Sequence, residues 1–375
     1  MTTLHICCNY AGPKVFHSLF AHLAAQGVRQ TVYVPEKHAA NMGRNLPGGG
    51  AFDVRYSLIV RPWDRLLYFT KARRALPDLM RRVDLSDVGL VHAHTLFTDG
   101  GIAYRLHRQT GLPFVVTVRS SDIEFFYKYE PHLRPHATRI LRAARRVIFL
   151  SPAYRDRVLA RYVPASLREE LGRKSDVVPN GIDEAWLTGH AHALRPDRLK
   201  IAFAGRLLAD KQPDKAIEAA QELARRLPER EVTIELAGDG PLRPRLQALP
   251  AVQAGRARLL GNLQGREALE AFYDGCDLLL VPSRVETFGL VYLEAMSRGL
   301  PVLYTRGQGF DGQFAPGAAG FAVDADSVAD MADKALQCLE GYEARSARCL
   351  ELAKTLAWPR VAGRLREIYE EACAR

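Results

Sequence analysis

The sequence lacks the features that would place it in a membrane or outside the cell. Its six cysteines, at positions 7, 8, 276, 338, 349 and 373, show neither the C-x-x-C spacing of a zinc site nor the paired spacing of a disulfide framework. No stretch approaches the roughly 18 consecutive apolar residues of a membrane-spanning helix. The opening "MTTLHICCNYAG" has no basic start or long apolar centre, as a signal peptide would. We therefore expect a cytoplasmic protein with reduced cysteines that serve mainly in packing.

Acidic charge is scarce in the first half of the chain. Residues 1–183 carry 27 Lys and Arg against 15 Asp and Glu, a net charge of +12, whereas residues 184–375 carry 25 against 27, a net charge of −2. A basic half attracts phosphate-bearing partners, whether nucleic acid, anionic lipid or a pyrophosphate-linked substrate. The length of 375 residues predicts two domains, and a hydrophobic content of 47% excludes a disordered chain.

Strands and helices alternate along both halves. In the first half, the strands "LHICC", "RQTVYV", "VGLVHAH", "LPFVVTV" and "VIFLS" are separated by helical patterns, one with Pro13 at its first position and one across Arg139–Arg146. The alternation restarts with "KIAFAGR", a helix that begins at Pro213, and "VTIELAG", and it continues through "ARLLG", "CDLLLVPS" and "LPVLYT". This pattern predicts two doubly wound α/β domains, each with a parallel sheet.

The least regular segment is residues 35–83. Its second part, "RPWDRLLYFTKARRALPDLMRRV", mixes seven Arg or Lys residues with Trp63, Leu66, Leu67, Tyr68 and Phe69. One interpretation is a basic surface helix with a stripe that faces the core. The other is a surface that contacts membrane lipid or a lipid-linked substrate, as interfacial amphipathic helices do.

Several loops that follow predicted strands have residues suited to an anionic ligand, although the loop after the first strand lacks the strict G-x-G-x-x-G fingerprint. Ligands of open parallel sheets lie outside the carboxyl ends of the strands. Gly12 follows the first strand and lets the backbone approach a ligand. Gly205 and Arg206 follow "KIAFA", with Lys211 five residues on, and Gly238 follows "VTIELA". Two cations beside a tight turn suit a diphosphate.

The stretch "RVETFGLVYLEAMSRG" places Glu286 and Glu294 eight residues apart in a largely apolar run. We expect a helix that starts near Thr287 or Phe288 and ends at Arg298. Glu286 then lies in the loop before the helix, and Glu294 lies one to two turns inside it. A carboxylate in apolar surroundings needs a dedicated partner, and the vicinal hydroxyls of a ribose or hexose are suitable donors. The alternative is a pair of glutamates on a solvated helix face.

These residues carry a resemblance to a known family. "VPSRVETFGLVYLEAMSRGLPVL" resembles the signature of retaining glycosyltransferases of family 4, which have the GT-B fold of two Rossmann-like domains that face a central cleft. The Glu-x7-Glu block is its most specific part. Almost the whole chain is covered, since further blocks follow in the family's order: "CNYAGPKVFHSLFAHLAAQG", "VHAHT", "VVPNGID", "AFAGRLLADKQPDKAIEA", "LAGDGP" and "WPRVAGRLREIYEEA".

The resemblance implies that the two halves bind different substrates. Residues 1–183 would bind the acceptor, residues 184–356 would bind the nucleotide sugar, and residues 357–375 would form a helix that packs back on the first domain. The hinge would lie at Asn180 and Gly181. The implied reaction transfers a hexose from a UDP- or GDP-sugar to a glycan or lipid-linked acceptor, with retention of configuration and without a metal or other cofactor.

The resemblance also assigns roles to individual residues. Glu294 would hold the ribose hydroxyls, and Glu286 would hold the transferred sugar. Arg206 and Lys211 would neutralise the diphosphate as it leaves. The remaining implied donor contacts are Gly12, Gly205, Gly238, Asn262, Leu263, Thr287 and the amides of Phe288, Gly289 and Leu290.

One position departs from the family pattern. Many members carry a histidine in a T-x-H-G-x-D-like loop, whereas this chain has Arg119 there, in "TVRSSD". Arg119 could reach a donor phosphate or an anionic acceptor, or it could pair with Asp122 and shape the loop. His92 and His94 face the same side of a predicted strand, and for His94 both a substrate contact and a packing role remain open.

Other functions are compatible with parts of the sequence. A nucleotide-sugar epimerase or a phosphorylase could share this architecture. A nucleic-acid-binding module would use the basic half, but the sequence shows no recognisable nucleic-acid motif, so we expect no nucleic-acid partner. The basic half is better explained by a polyprenyl-diphosphate-linked acceptor of bacterial envelope, lipopolysaccharide or exopolysaccharide synthesis, and by peripheral contact with the anionic inner membrane.

Overall fold

The structure, a computed structural model, describes residues 2–12, 14–65 and 68–374. Contacts divide the chain into two units. The described residues of 1–150, 154–181 and 358–375 form the first unit, and residues 151–153 and 182–357 form the second. The sequence places the boundary after residue 183 and the returning segment at 357–375, each within two residues of these divisions.

The first unit is built on a seven-stranded sheet in which all neighbouring strands are parallel. Its strand order is β3-β2-β1-β4-β5-β6-β7. The strands are β1 (Thr2–Ile6), β2 (Arg29–Glu36), β3 (Asp53–Leu58), β4 (Val88–Ala93), β5 (Phe114–Val118), β6 (Arg146–Phe149) and β7 (Ser175–Val177).

Helices connect these strands. They are α1 (Val15–Ala25), α2 (Tyr68–Arg82), α3 (Thr98–Thr110), α4 (Arg134–Ala143), α5 (Pro152–Arg161) and α6 (Arg168–Arg173). A π-helical turn (Asp122–Tyr127) follows β5.

The second unit repeats the plan around six parallel strands in the order β10-β9-β8-β11-β12-β13. They are β8 (Arg198–Ala204), β9 (Glu231–Ala237), β10 (Ala257–Gly261), β11 (Leu278–Val281), β12 (Val302–Thr305) and β13 (Gly320–Val323). The helices that follow α6 are α7 (Pro213–Arg226), α8 (Arg243–Gln247), α9 (Pro250–Gln253), α10 (Arg266–Asp274), α11 (Leu290–Ser297), α12 (Val328–Leu339), α13 (Tyr342–Thr355) and α14 (Trp358–Ala374).

The prediction of two doubly wound parallel-sheet domains is confirmed. Central strands such as β5 are buried along their whole length, which explains their continuous apolar runs. Three strands were not predicted: β3, β7 and β13. All three lie at sheet edges, where a strand can keep an exposed side and lacks that apolar signal.

Two helix predictions need correction. The helix expected at Arg139–Arg146 is α4, which begins at Arg134, with Pro135 in its first turn, and ends at Ala143; Arg146 already belongs to β6. Proline suits a first turn because its missing N–H has no intrahelical partner there. The first helix of the chain begins at Val15, and Pro13 lies outside the described residues. Pro213 does begin α7, as predicted.

Helix α2 buries one face in the first unit, at Ala72, Ala75, Leu76 and Leu79. Leu66 and Leu67 lie outside the described residues. Trp63 lies in a short turn (Pro62–Arg65) before α2 and is 49% exposed, and Phe69 on α2 is 43% exposed. Neither aromatic side chain is therefore buried in the core. None of the described helices is both long enough and apolar enough to cross a membrane.

The last helix, α14, completes the core of the first unit. Trp358, 3% exposed, packs in one hydrophobic cluster with residues of α1, β2 and α14. The side-chain amide of Gln26 donates a hydrogen bond of 2.6 Å to the carbonyl of Pro359. Gly181 lies against the indole of Trp358, since a Cβ added at Gly181 would be 2.5 Å from the ring. The C-terminal segment is therefore an integral part of the first unit.

Trp358→Ala is expected to destabilise the first unit by about 3–5 kcal/mol, because it removes a large buried side chain and leaves a cavity. The matched control is Trp63→Ala, at a half-exposed tryptophan of the same unit, with an expected change within about 0.5 kcal/mol. Urea unfolding followed by circular dichroism measures both. Equal midpoints for the two variants would show that α14 does not stabilise the first unit.

Candidate functional site

Loops at the carboxyl ends of the second sheet enclose a cavity of about 260 Å³. It brings together six residues that the sequence predicts as donor contacts: Gly205, Arg206, Gly238, Asn262, Leu263 and Glu294. The other lining residues are Ala204, Ala237, Leu269, Tyr273 and Val291. The cavity lies where open parallel sheets bind their ligands.

Two glycines allow the strand ends to approach each other on this cavity wall. Gly238 has φ of 141°, and a Cβ there would lie 1.9 Å from the carbonyl oxygen of Gly205. The amide of Gly205 donates to the carbonyl of Ala237 at 2.9 Å, and the amide of Gly238 donates to the carbonyl of Gly261 at 2.8 Å. Only glycine fits such a contact between backbones, which is why both turns are recognisable in the sequence.

Glu294 is the fifth residue of α11 and has a partner that the sequence analysis did not identify. The hydroxyl of Tyr273, on α10, donates a hydrogen bond of 3.2 Å to its carboxylate oxygen Oε2. Burial raises the pKa of Glu294 to about 7, and the hydrogen bond from Tyr273 opposes that rise. Further hydroxyl donors from a ligand would stabilise the carboxylate. Tyr273 carries no signature in the sequence, because its role depends on the packing of α10 beside α11.

Lys211 and Glu286 form an ion pair. Nζ of Lys211 lies 2.8 Å from Oε2 of Glu286, and both side chains are about 15% exposed. The same ammonium donates to the carbonyl of Val285 at 3.1 Å. Neither Lys211 nor Glu286 lines the cavity around Glu294. By contrast, the exposed Arg206 is on the cavity wall and forms no ion pair with any described residue.

The helix after Glu286 begins later than predicted. Helix α11 runs from Leu290 to Ser297, not from Thr287 or Phe288 to Arg298, and Gly289 precedes it with φ of 82°. A Cβ at Gly289 would lie 2.4 Å from the ring of Tyr292, so the tight entry requires glycine. The amides of Phe288 and Gly289 therefore belong to the loop, and Leu290 supplies the first amide of the helix. Free amides at a helix start favour an anion.

The loop after β12 braces this segment, which the sequence analysis missed. The amide of Gly309 donates to the carbonyl of Glu286 at 3.0 Å, and the amide of Glu286 donates to Oε1 of Gln308 at 3.2 Å. A Cβ at Gly309 would lie 2.2 Å from the carbonyl oxygen of Thr287. The glycine-rich pattern "TRGQGF" at 305–310 could have indicated this contact in the sequence. Its second glycine, Gly309, allows the backbone of this loop to lie close to the carbonyl of Thr287.

In the first unit, the loop that contains Gly12 is held by Asn45. The side-chain amide of Asn45 donates to the carbonyls of Tyr10 at 2.9 Å and Gly12 at 3.3 Å. The hydroxyl of Tyr10 donates in return to the carbonyl of Asn45 at 2.6 Å. Asn45 has φ of 56°, a left-handed conformation that asparagine tolerates better than most residues. The conformation of the loop that contains Gly12 therefore depends on Asn45, a residue distant in the chain.

His94 is buried in a cluster of three histidines. Its Nε2 lies 3.0 Å from Nδ1 of His5, and its ring centroid is 4.0 Å from that of His92. His92 is hydrogen-bonded to the hydroxyls of Tyr369 and Thr117. Burial lowers the pKa of all three histidines, to about 3 for His5 and well below the ordinary value for His92 and His94. The cluster is therefore neutral at physiological pH. One ring nitrogen from each of the three histidines lies within 4.8 Å of the corresponding nitrogens of the other two.

Arg119 points into the first unit. Its Nε donates to the carbonyl of His94 at 2.9 Å, and its guanidinium lies 4.5 Å from the centroid of Phe16. Asp122 shapes the loop through the backbone, because its carboxylate accepts hydrogen bonds from the amides of Leu96, Phe97 and Arg119. Arg119, His94 and Asn180, which the sequence predicts as a hinge residue, share the wall of a small cavity of about 20 Å³; Gly12 does not line it.

Comparisons with known proteins agree with this architecture. Residues 13–186 match the family model described as "Glycosyltransferase Family 4", and residues 189–354 match "Glycosyl transferases group 1". A D-inositol 3-phosphate glycosyltransferase of Paenarthrobacter aurescens is 26% identical over an alignment of 382 positions, gaps included, that covers 93% of this chain and 90% of that protein.

Solved structures share the fold at low identity. Sucrose-phosphate synthase from Thermosynechococcus elongatus superposes with a TM-score of 0.76 at 17% identity, with full coverage of both chains. HepE of Anabaena in complex with UDP has a TM-score of 0.71 at 17% identity and covers 99% of this chain and 100% of that one. Both support the two-domain α/β fold.

The raised pKa of Glu294 predicts a pH dependence of stability. A carboxyl with a pKa of about 7 in the folded chain and about 4.5 in the unfolded chain favours folding below pH 4.5 and loses that contribution as the pH rises through 7. Glu294→Gln removes this titration. The free energy of unfolding of the variant should rise relative to the parent protein by roughly 2 kcal/mol between pH 5 and pH 8.

Denaturant unfolding at several pH values measures this difference. The control is Glu343→Gln, at an exposed glutamate in the first turn of α13, which should follow the parent protein at every pH. A difference between Glu294→Gln and the parent that does not change with pH would contradict the assignment.

Proposed function

The chain belongs to the family 4 glycosyltransferases of the GT-B fold, and on that premise we propose that it transfers a sugar from a UDP- or GDP-sugar to a glycan or lipid-linked acceptor. The observation that carries the proposal is the cavity at the carboxyl end of the second sheet. It combines two glycine turns, an Arg206 that forms no ion pair with any described residue, and a half-buried Glu294. The complexes of Anabaena HepE with UDP and with UDP-glucose support a uridine nucleotide as donor.

Glu294 is proposed to bind the ribose of the donor. Its carboxylate is desolvated, and one of its oxygens already accepts a hydrogen bond from Tyr273. Two ribose hydroxyls would supply the donors that such a carboxylate otherwise lacks. Ribose binding would then lower the pKa of Glu294 from about 7 and fix its negative charge.

The diphosphate is proposed to meet Arg206, Lys211 and the first amides of α11. Arg206 is free of ion pairs within the described residues, whereas Lys211 is held by Glu286 at 2.8 Å. A diphosphate would share Lys211 with Glu286 and leave that carboxylate to accept hydroxyls of the transferred sugar. Fixed cations and amides stabilise charge that develops on the leaving group, and on this basis we propose a metal-independent reaction.

We propose retention of configuration by a front-face route. The bond from the anomeric carbon to the phosphate oxygen breaks, and an oxocarbenium-like centre forms. The acceptor hydroxyl attacks from the same face, and its proton passes to the departing phosphate oxygen. Glu286 orients the sugar in this scheme and is not a nucleophile, since Lys211 holds its carboxylate in an ion pair. Arg119 and His94 have no assigned step, because both are engaged inside the first unit.

The donor assignment is tested with Glu294→Ala and Lys211→Ala. Glu294→Ala should weaken binding of the preferred nucleoside diphosphate about 10- to 100-fold, since it removes a charge-assisted contact to ribose. Lys211→Ala should lower the turnover number about 100-fold or more, because it removes a cation from the leaving group. Thermal shifts against UDP, GDP, ADP and their sugars identify the donor, and turnover assays follow.

The matched controls are Glu343→Ala and Lys354→Ala, two exposed charges of α13, which should leave binding and turnover unchanged. Unimpaired turnover in both site variants would refute the proposal. Conversion of the nucleotide sugar in the absence of any acceptor would instead identify an epimerase.

We further propose that the protein works at the cytoplasmic face of an anionic membrane, in bacterial envelope, lipopolysaccharide or exopolysaccharide synthesis. The first half carries a net charge of +12. Six of the seven large apolar side chains that are exposed among the described residues lie between positions 42 and 80: Met42, Leu46, Leu58, Trp63, Phe69 and Met80. Basic charge with exposed aromatic groups is typical of surfaces that bind anionic lipid.

The membrane proposal predicts binding to vesicles that contain anionic phospholipid and not to purely zwitterionic ones. Trp63→Ser together with Phe69→Ser should weaken vesicle binding about tenfold or more, since each aromatic group buries apolar area in the interface. Tyr129→Ser is the control, at a side chain that is 63% exposed outside this segment. Co-sedimentation at low salt measures the effect. Equal recovery of both variants on anionic vesicles would contradict the proposal.

A further inference from the structure

The first unit contains a second cavity, of about 250 Å³, that the donor assignment does not use. It lies at the carboxyl ends of strands. Lys37 follows β2, Arg61 follows β3, and Thr98 begins α3 after β4. The remaining lining residues are Val60, Pro62, Asp64, Tyr68, Lys71, Ala72 and Phe126. In a parallel sheet this is the edge at which ligands bind.

The wall of this cavity carries an excess of positive charge. Lys37, Arg61 and Lys71 form no ion pair with a carboxylate in the described part of the chain. The side chain of Asp64, the acid on the wall, is only 3% exposed. Its two carboxylate oxygens both accept from Nη2 of Arg74, and one of them also accepts from the amide of Arg61 at 2.8 Å. Asp64 is thus neutralised by a residue outside the wall.

Two further acids lie near these cations: Glu36, whose carboxylate accepts a hydrogen bond of 2.6 Å from the backbone amide of Lys37, and Asp99. Asp99 is fully buried, and burial raises its pKa to about 6, while the nearby Lys71 opposes that rise. Lys71 is therefore partly balanced by Asp99, whereas the side chains of Lys37 and Arg61 form no ion pair with a described carboxylate. Two or more unbalanced cations in a concave site favour a phosphate over a neutral sugar.

The opposite side of the cavity is apolar. The hydroxyl of Tyr68 donates to the carbonyl of Phe97 at 2.7 Å, so its polar group is already satisfied. The ring of Phe126 stacks on that of Phe97 with centroids 4.7 Å apart, which fixes its position. Together with Val60 and Pro62, these rings provide a rigid surface for carbon atoms beside the charged group.

We propose that this cavity binds the phosphate group of the acceptor among Lys37, Arg61 and Lys71, with the adjoining carbon skeleton against Tyr68 and Phe126. The inference rests on the proposed glycosyl transfer and names its acceptor class as a phosphate or diphosphate ester. A soluble sugar phosphate and a lipid-linked diphosphate share this chemistry.

The test compares Lys37→Gln/Arg61→Gln with the control Arg108→Gln/Lys128→Gln, which removes the same charge from exposed positions of the same unit. Inorganic pyrophosphate and farnesyl diphosphate are titrated calorimetrically into each protein in the presence of saturating nucleoside diphosphate, which occupies the donor cavity. The site variant should lose at least tenfold in affinity for both anions, and the control should lose less than twofold. Nucleoside diphosphate affinity should be the same in all proteins.

The two anions distinguish the sources of the phosphate. Tighter binding of farnesyl diphosphate that Phe126→Ala abolishes supports a lipid-linked acceptor, and equal binding of both anions supports a soluble phosphate ester. Equal anion affinity in the site variant and the control would overturn the inference, as would a parallel loss of nucleoside diphosphate affinity. If no nucleoside diphosphate binds at all, the proposed function fails, while the charge dependence of pyrophosphate binding still decides the inference.

Discussion

Parallel pairing of neighbouring strands is the constraint on which the rest of each unit depends. Because every strand of a sheet points the same way, the loops at the carboxyl ends collect along one edge. The second unit uses that edge for the cavity of Glu294, and the first unit uses it for the cavity of Lys37 and Arg61. Crossover helices cover both faces of the sheets, so these edges are where polar side chains can reach a ligand.

Backbone proximity and burial then determine what each edge can bind. The approach of Gly238 to Gly205 leaves no room for a Cβ, so backbone forms part of the cavity wall. Burial makes the carboxyl of Glu294 costly to ionise, and Tyr273 offsets only part of that cost. A ligand that supplies further hydroxyl donors would therefore stabilise the ionised form of this carboxyl. The same logic applies to Arg206, whose charge has no partner among the described residues.

In the first unit, several buried polar side chains at the strand ends are hydrogen-bonded to other groups of the same unit. His5, His92 and His94 are neutral. His5 and His94 are hydrogen-bonded to each other, His92 is hydrogen-bonded to the hydroxyls of Tyr369 and Thr117, and Arg119 donates to the carbonyl of His94. These groups hold the ends of β1, β4 and β5 together beneath the loops. The unbalanced cations lie elsewhere, around α2 and the loops after β2 and β3. Part of the net charge of +12 in the first half is therefore concentrated at this cavity.

The sequence by itself determined the two parallel sheets, since buried strands require continuous apolar runs and the alternation with helices is local. It also indicated Gly205, Gly238 and Glu294, because glycine at a strand end and a carboxylate in an apolar helix are unusual without a structural demand. Edge strands such as β3 escaped prediction, because one exposed side leaves no apolar run. Only the tertiary structure decided that Lys211 pairs with Glu286, that Tyr273 reaches Glu294, and that Lys37 and Lys71 share a cavity. Each of these contacts joins residues far apart in the chain, and their distance depends on how helices pack against the sheets, which no local pattern encodes.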